Sequence, residues 1–196
     1  MPRWSLFMAS LGLAVCLPEI AGAQALRLPQ APVPSFGQEA FNDAATAINW
    51  SPNVYGVYQR SLEGSNAMAS AVDLSEGAGL IFEIYIDINK VIAAAGIDPT
   101  SNDPDDQRAL ELILELILDH ENGHANGSIT GAPCDHQTAY AYYLDVFCDG
   151  VIGSEQDSEV KQKLCDWYER RARGINQKVY EECSGPSPAP DTCVYC

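Results

Sequence analysis

Between Asp103 and His124 the chain carries the feature that most restricts its fold, a helix start signal followed by a strongly apolar run. Asp103 can accept backbone N–H groups as an N-cap, Pro104 suits the first helical position, and Asp105 and Asp106 favour the positive helix end. Ala109, Leu110, Ile113, Leu114, Ile117 and Leu118 then recur at helical spacing. The pattern predicts a helix of about 30 Å at ~1.5 Å per residue. A helix this apolar must be buried on most sides, so the rest of the chain has to pack around it.

The flanking segments supply the packing partners. Leu80, Phe82, Ile84, Ile86 and Ile88 alternate with Glu83, Tyr85 and Asp87, which predicts a strand over 80–88 with one buried face. Such a strand is either a plain core strand or a sheet edge able to hold an extended peptide by backbone pairing. Phe41, Ala44, Ala45 and Ile48 predict a helix over 38–50 that ends before Pro52, whereas 55–73 has a mixed pattern that selects neither helix nor strand. A further helix is expected from Asp135 through Ala139, Tyr143, Val146 and Phe147. Another is expected over 158–183, with Leu164, Trp167, Tyr168 and Ile175 on its apolar side and Gly174 as a point of interruption. The expected class is α+β, a long central helix on a short sheet followed by a helical C-terminal part.

Composition places this domain outside the cell. Arg3, an apolar run over 6–17 and Ala21-Gly22-Ala23 form an export signal cut after Ala23, too short for a membrane span, so no membrane insertion is expected. Residues 24–36, with Pro29, Pro32 and Pro34, suit an extended arm, and 37–196 form one domain. Once Cys16 leaves with the signal, six cysteines remain (Cys134, Cys148, Cys165, Cys183, Cys193 and Cys196), all in the last third. An even count in a secreted or periplasmic protein implies up to three disulfides, and spacing alone does not choose their pairing. The irregular tail from Ser184 depends on them for order.

The 27 acidic and 11 basic side chains give a formal charge of -16. Nucleic acid and anionic membrane surfaces are therefore excluded as natural partners, and a basic substrate is favoured. Charge does not set the oligomeric state.

The chemistry concentrates at the end of the long helix. His120 and His124, four apart, project from one helix face and can bind one metal ion, with Glu121 beside them. The chain has three histidines, and the third, His136, lies within the same 17 residues. A catalytic zinc ion takes three protein ligands and keeps a position open for water, which makes His136 the candidate third ligand; Asp145 and Asp135 are the alternatives. Gly123, Gly127 and Gly131 can turn the chain back toward the metal. Tyr140, Tyr142 or Tyr143 could donate a phenol hydroxyl to an oxyanion.

His120-Glu121-Asn122-Gly123-His124 resembles the zinc signature of the zincin metallopeptidases. The resemblance spans about 30 residues, and it implies a zincin-like domain with one Zn2+, held by His120 and His124. It also implies Glu121 as the base that activates water for hydrolysis of a peptide or protein substrate. Beyond the motif the subfamilies diverge. Gly127 matches the metzincin pattern but Thr130 stands where that pattern has its third His, no Glu lies between Glu121 and Glu155 to serve as in the thermolysin-like group, and Gly131 to Asp135 is only loosely similar to the Asp-ligand group. His136 at the start of the next helix is similar to the SprT-like arrangement. Two other functions fit the same residues: a non-catalytic zinc-binding structural or interaction protein, and a zinc amidase acting on a non-protein amide.

Overall fold

The computed structural model describes residues 33–75, 80–183 and 192–196. The expected export signal, residues 24–32 of the arm and the tail over 184–191 lie outside them. The elements run α1 (Ser35–Ala47), β1 (Val54–Gln59), β2 (Ala69–Asp73), β3 (Phe82–Ile86), α2 (Ile88–Ala95), α3 (Pro104–Ala125), α4 (Pro133–Phe147) and α5 (Ser158–Cys183). A π-helical turn, Cys148–Ile152, continues α4. The class is mixed α+β, with a three-stranded sheet.

The α3 helix forms where its start signals lie. The Asp103 carboxylate accepts the Asp105 N–H at 3.0 Å, and Pro104 occupies the first turn. Leu110, Ile113, Leu114 and Leu118 are essentially inaccessible, because α1, α2, α4, α5 and the sheet all pack on this helix. Full burial of one such side chain contributes about 1.5–3 kcal/mol, so tertiary packing rather than helix propensity holds α3.

The strand order is β1-β3-β2, with β1 parallel and β2 antiparallel to β3. Ile84 pairs with Val57 on one side and Ala71 on the other, and Ile84 and Ile86 are fully buried. The alternating segment is therefore the central strand, and the sheet-edge reading of it is overturned. It is also shorter than its pattern. Leu80 and Ile81 are exposed outside the strand, and Ile88 opens α2 because the Asp87 carboxylate accepts the Lys90 N–H at 3.2 Å as an N-cap. The alternation simply ran across a strand-to-helix boundary. Residues 55–73, unassigned by pattern, supply both edge strands.

Three other boundaries move. The α1 helix starts at Ser35, inside the expected arm, burying Phe36, and stops at Ala47 because Ile48 is extended. The α4 helix starts at Pro133 after Ala132, so Asp135, where the helix was expected to begin, lies in its first turn. The α5 helix runs unbroken through Gly174, where an added Cβ would meet nothing within 4 Å.

Cys134–Cys183 ties the start of α4 to the end of α5, while Cys148–Cys193 and Cys165–Cys196 fasten the C-terminus to the helical part. All six cysteines are paired, as their even number implied. Among the described residues no helix is long and apolar enough to cross a membrane.

Candidate metal centre

The last turns of α3 are buried although they are polar: His120, Glu121 and Asn122 are 4%, 7% and 6% exposed. Past Ala125 the chain reverses through Asn126 and Gly127, whose φ of 78° is a left-handed conformation that suits glycine. The Ser128 and Ile129 N–H groups then donate back to the Gly123 carbonyl at 3.0 and 3.1 Å. Gly123 permits that return by close approach, since a Cβ there would stand 2.6 Å from Ile129 Cδ1. Gly131, expected to help the reversal, has neither a positive φ nor a close neighbour.

The reversal brings His136 onto the motif. His120 Nε2 and His136 Nε2 are 3.1 Å apart, the His124 and His136 rings stack at 5.2 Å, and the three residues offer ligand nitrogens within 4.8 Å of one another. Tetrahedral zinc with bonds of about 2.0–2.1 Å needs donors roughly 3.3 Å apart; the His120–His136 pair is close to that spacing, and the three residues together could hold one ion. The rival ligands stay out of it. Asp135 accepts the Thr130 hydroxyl at 2.8 Å, and neither Asp135 nor Asp145 belongs to the cluster.

The electrostatics favour neutral imidazoles, the form that binds metal. Burial, helped by His136 and His124, pulls His120 down to about 3. Burial and then His136 lower His124, with the Ile129 backbone opposing them. Burial and the Lys178 charge lower His136. His120 differs from the usual metal-bound histidine. Its Nδ1 is buried without a hydrogen-bond partner among the described residues, and the rings of Tyr140 and Tyr143, at 4.8 and 5.6 Å, orient it by packing.

Glu121 shares a cavity of about 830 Å³ with the three histidines. Burial pushes its carboxyl up to about 7, opposed by the neighbouring Ala71 backbone of edge strand β2. Of the candidate oxyanion donors, Tyr140 lines this cavity and Tyr143 does not. Tyr143 Oη instead lies on the Gly123 side, 3.1 Å from where a Cβ would be, and Tyr142 is largely exposed.

Three kinds of residue at the site escaped the sequence. Ala71 acts through its backbone, which no composition reveals. Asn122, inside the motif, holds neighbouring chain rather than metal, its Oδ1 accepting the Ser51 N–H at 2.8 Å and its Nδ2 donating to the Asn49 carbonyl at 3.2 Å. Arg170, Arg171 and Lys178 of α5 line the cavity, so the wall facing the histidines is basic in an acidic chain. Their spacing on one helix face was the available signal.

No known protein-family model matches the chain, and no curated protein or solved structure matches it.

Proposed function

We propose that the protein is a secreted zinc-dependent peptidase with a zincin-like fold, in which His120, His124 and His136 hold the ion and Glu121 is the general base. One observation carries the reading: three neutral imidazoles converge on one point in the same cavity as a buried carboxyl held near neutrality. When bound, zinc would supply Lewis acidity and an acidified water. Glu121, with its proton affinity raised by burial, can take a proton near neutral pH and return it to a leaving amine. Ala71 of β2 lines the same cavity as Glu121. Being an edge strand, β2 also leaves backbone groups on its unpaired side for an extended peptide. Tyr140 is the candidate hydroxyl donor to a developing oxyanion.

A closed structural zinc site needs a fourth protein ligand, and the described residues place none with the three histidines. The open position favours catalysis. The test is zinc content and peptide hydrolysis in the parent, Glu121→Gln and His136→Ala. The reading expects about one bound zinc in the parent, retained in Glu121→Gln with hydrolysis abolished, and depleted in His136→Ala. Hydrolysis that persists in Glu121→Gln, or a parent that takes up no zinc on loading, would sink it.

A further inference from the structure

The chain has 11 Lys and Arg residues, and nine remain after Arg3 and Arg27, which lie outside the described residues. Four of the nine, Lys90, Arg108, Lys163 and Arg173, form ion pairs with carboxylates. Arg60 and Lys161 lie over the rings of Tyr85 and Tyr195. The last three, Arg170, Arg171 and Lys178, all line the cavity and form no ion pair among the described residues.

Each is placed rather than merely exposed. Arg170 donates to the Ala94 and Ala95 carbonyls at 3.3 and 3.1 Å, which pins its guanidinium at the end of α2. Arg171 lies 5.4 Å over the Tyr140 ring, itself packed on His120, and its Nε is buried without a hydrogen-bond partner. Gly174 lies between Arg171 and Lys178 on the same face of α5 and also lines the cavity. A glycine inside a helix costs about 1 kcal/mol relative to alanine, and here no neighbour demands it, since a Cβ would meet nothing within 4 Å. Its effect is to leave an open gap flanked by cations.

Cations beside a cluster of metal ligands oppose cation binding, and with 27 acidic side chains the chain had carboxylates to spare for neutralising them. Of the acidic groups on the cavity wall, Asp73 accepts the Ser75 N–H at 2.7 Å and Glu121 is buried beside the histidines, and among the described residues neither forms an ion pair with the three cations. An anion from outside is what this wall lacks, and the planar guanidinium fork matches a carboxylate.

We propose that Arg170, Arg171 and Lys178, around the gap at Gly174, form a subsite for a peptide carboxylate, so that the cleft selects acidic peptides despite the protein's own negative charge. The subsite rests on the peptidase reading for its role but not for its existence. Two sources share this chemistry, an Asp or Glu side chain and a free C-terminal carboxylate.

The experiment is calorimetric binding of five-residue, N-acetylated alanine peptides to the Glu121→Gln protein, with and without zinc. The probes carry a central Glu, Gln or Lys with an amidated end, or no charge except a free C-terminus. At least one carboxylate probe should bind about tenfold more tightly than the Gln probe, as expected for charge-assisted hydrogen bonds, and the better of the two names the source. The preference should persist without zinc, disappear in Arg171→Gln/Lys178→Gln and in Gly174→Glu, and survive in Arg60→Gln. Gly174→Glu adds a side chain where space is open, so folding should tolerate it. Binding of both carboxylate probes no tighter than that of the Gln probe, no binding of either carboxylate probe at millimolar concentration, or a preference that survives Gly174→Glu would overturn the subsite. A preference that appears only with zinc would put the carboxylate on the metal and overturn it as well. Whether the parent cleaves the Glu probe tests the peptidase reading separately.

Discussion

The side-chain oxygen of Asn122 accepts the backbone N–H of Ser51 at 2.8 Å, joining positions 71 residues apart. Asn122 is buried between two metal-ligand candidates, and its amide also donates to the Asn49 carbonyl. It thus anchors the link between α1 and β1 to the last turn of α3. Asn122→Ala leaves a buried N–H and a carbonyl without partners, a penalty of about 1–3 kcal/mol. Urea unfolding of the variant should move its midpoint down with an unchanged slope. An unaltered midpoint would mean that water replaces both bonds and that the anchor contributes nothing.

Gly123 is required by contact, not by dihedral angle. A Cβ at this position would lie 2.6 and 2.9 Å from Ile129 Cδ1 and Cγ1, and 3.1 Å from Tyr143 Oη. Gly123→Ala should destabilise the protein by about 1–3 kcal/mol through overpacking and displace the chain that leads back to His136. Ile129→Ala removes the atoms in the way. In a double-mutant cycle the two substitutions should therefore cost less together than the sum of the singles. Strict additivity would show that Gly123 matters for some reason other than Ile129.

The long helix and the His120, Glu121, His124 triplet were legible because both rest on local rules, a cap, a spacing of four and an apolar run. His136 was within reach only because histidine is scarce in this chain. The strands β1 and β2 were not legible. Neither alternates cleanly, as β1 carries Gly56 and buried Gln59 while β2 is built from Ala and Ser at an edge. Their existence depends on pairing with β3, a long-range relation. The α2 helix was hidden because Asp87 ends a strand and caps a helix at once, so Ile88 satisfies both patterns. The cationic wall shows a different limit. Net charge averages over the whole surface, and the cavity departs from that average in sign.

Cys134 precedes His136 by two residues, and its disulfide with Cys183 fastens the first turn of α4 to the end of α5. Opening that bridge in Cys134→Ser/Cys183→Ser should lower stability by about 2–4 kcal/mol. It should also weaken zinc binding, because the turn that carries His136 is released. Cys165→Ser/Cys196→Ser is the control: it removes a bridge that ties the C-terminus to the middle of α5 and touches no histidine element. Zinc titration should separate the two, with affinity falling in the first pair and holding in the second. Equal losses would mean that global loosening, rather than His136 placement, governs the site.

Protonation of the metal-free protein gives opposing slopes that one substitution can separate. His120, at about 3 in the fold against 6.5 in the free side chain, stays neutral where the unfolded chain is charged. Its stability is complete above pH 6.5 and is lost as pH falls toward 3, and the lowered His124 and His136 act in the same direction. Glu121, at about 7 against 4.5, behaves oppositely, since native protein holds a proton that the unfolded chain has released. Its stability is complete below pH 4.5 and is lost as pH rises through 7. Gln at this position keeps the shape and cannot ionise. The stability of Glu121→Gln relative to the parent should therefore increase from acid to mildly basic pH, reaching on the order of 3 kcal/mol, because each tenfold change in proton affinity corresponds to ~1.4 kcal/mol. Urea unfolding of both metal-free proteins across that range measures it. A constant gap would mean that Glu121 ionises as readily in the fold as in water, and the proton affinity assigned to the general base would then have to come from the bound metal complex instead.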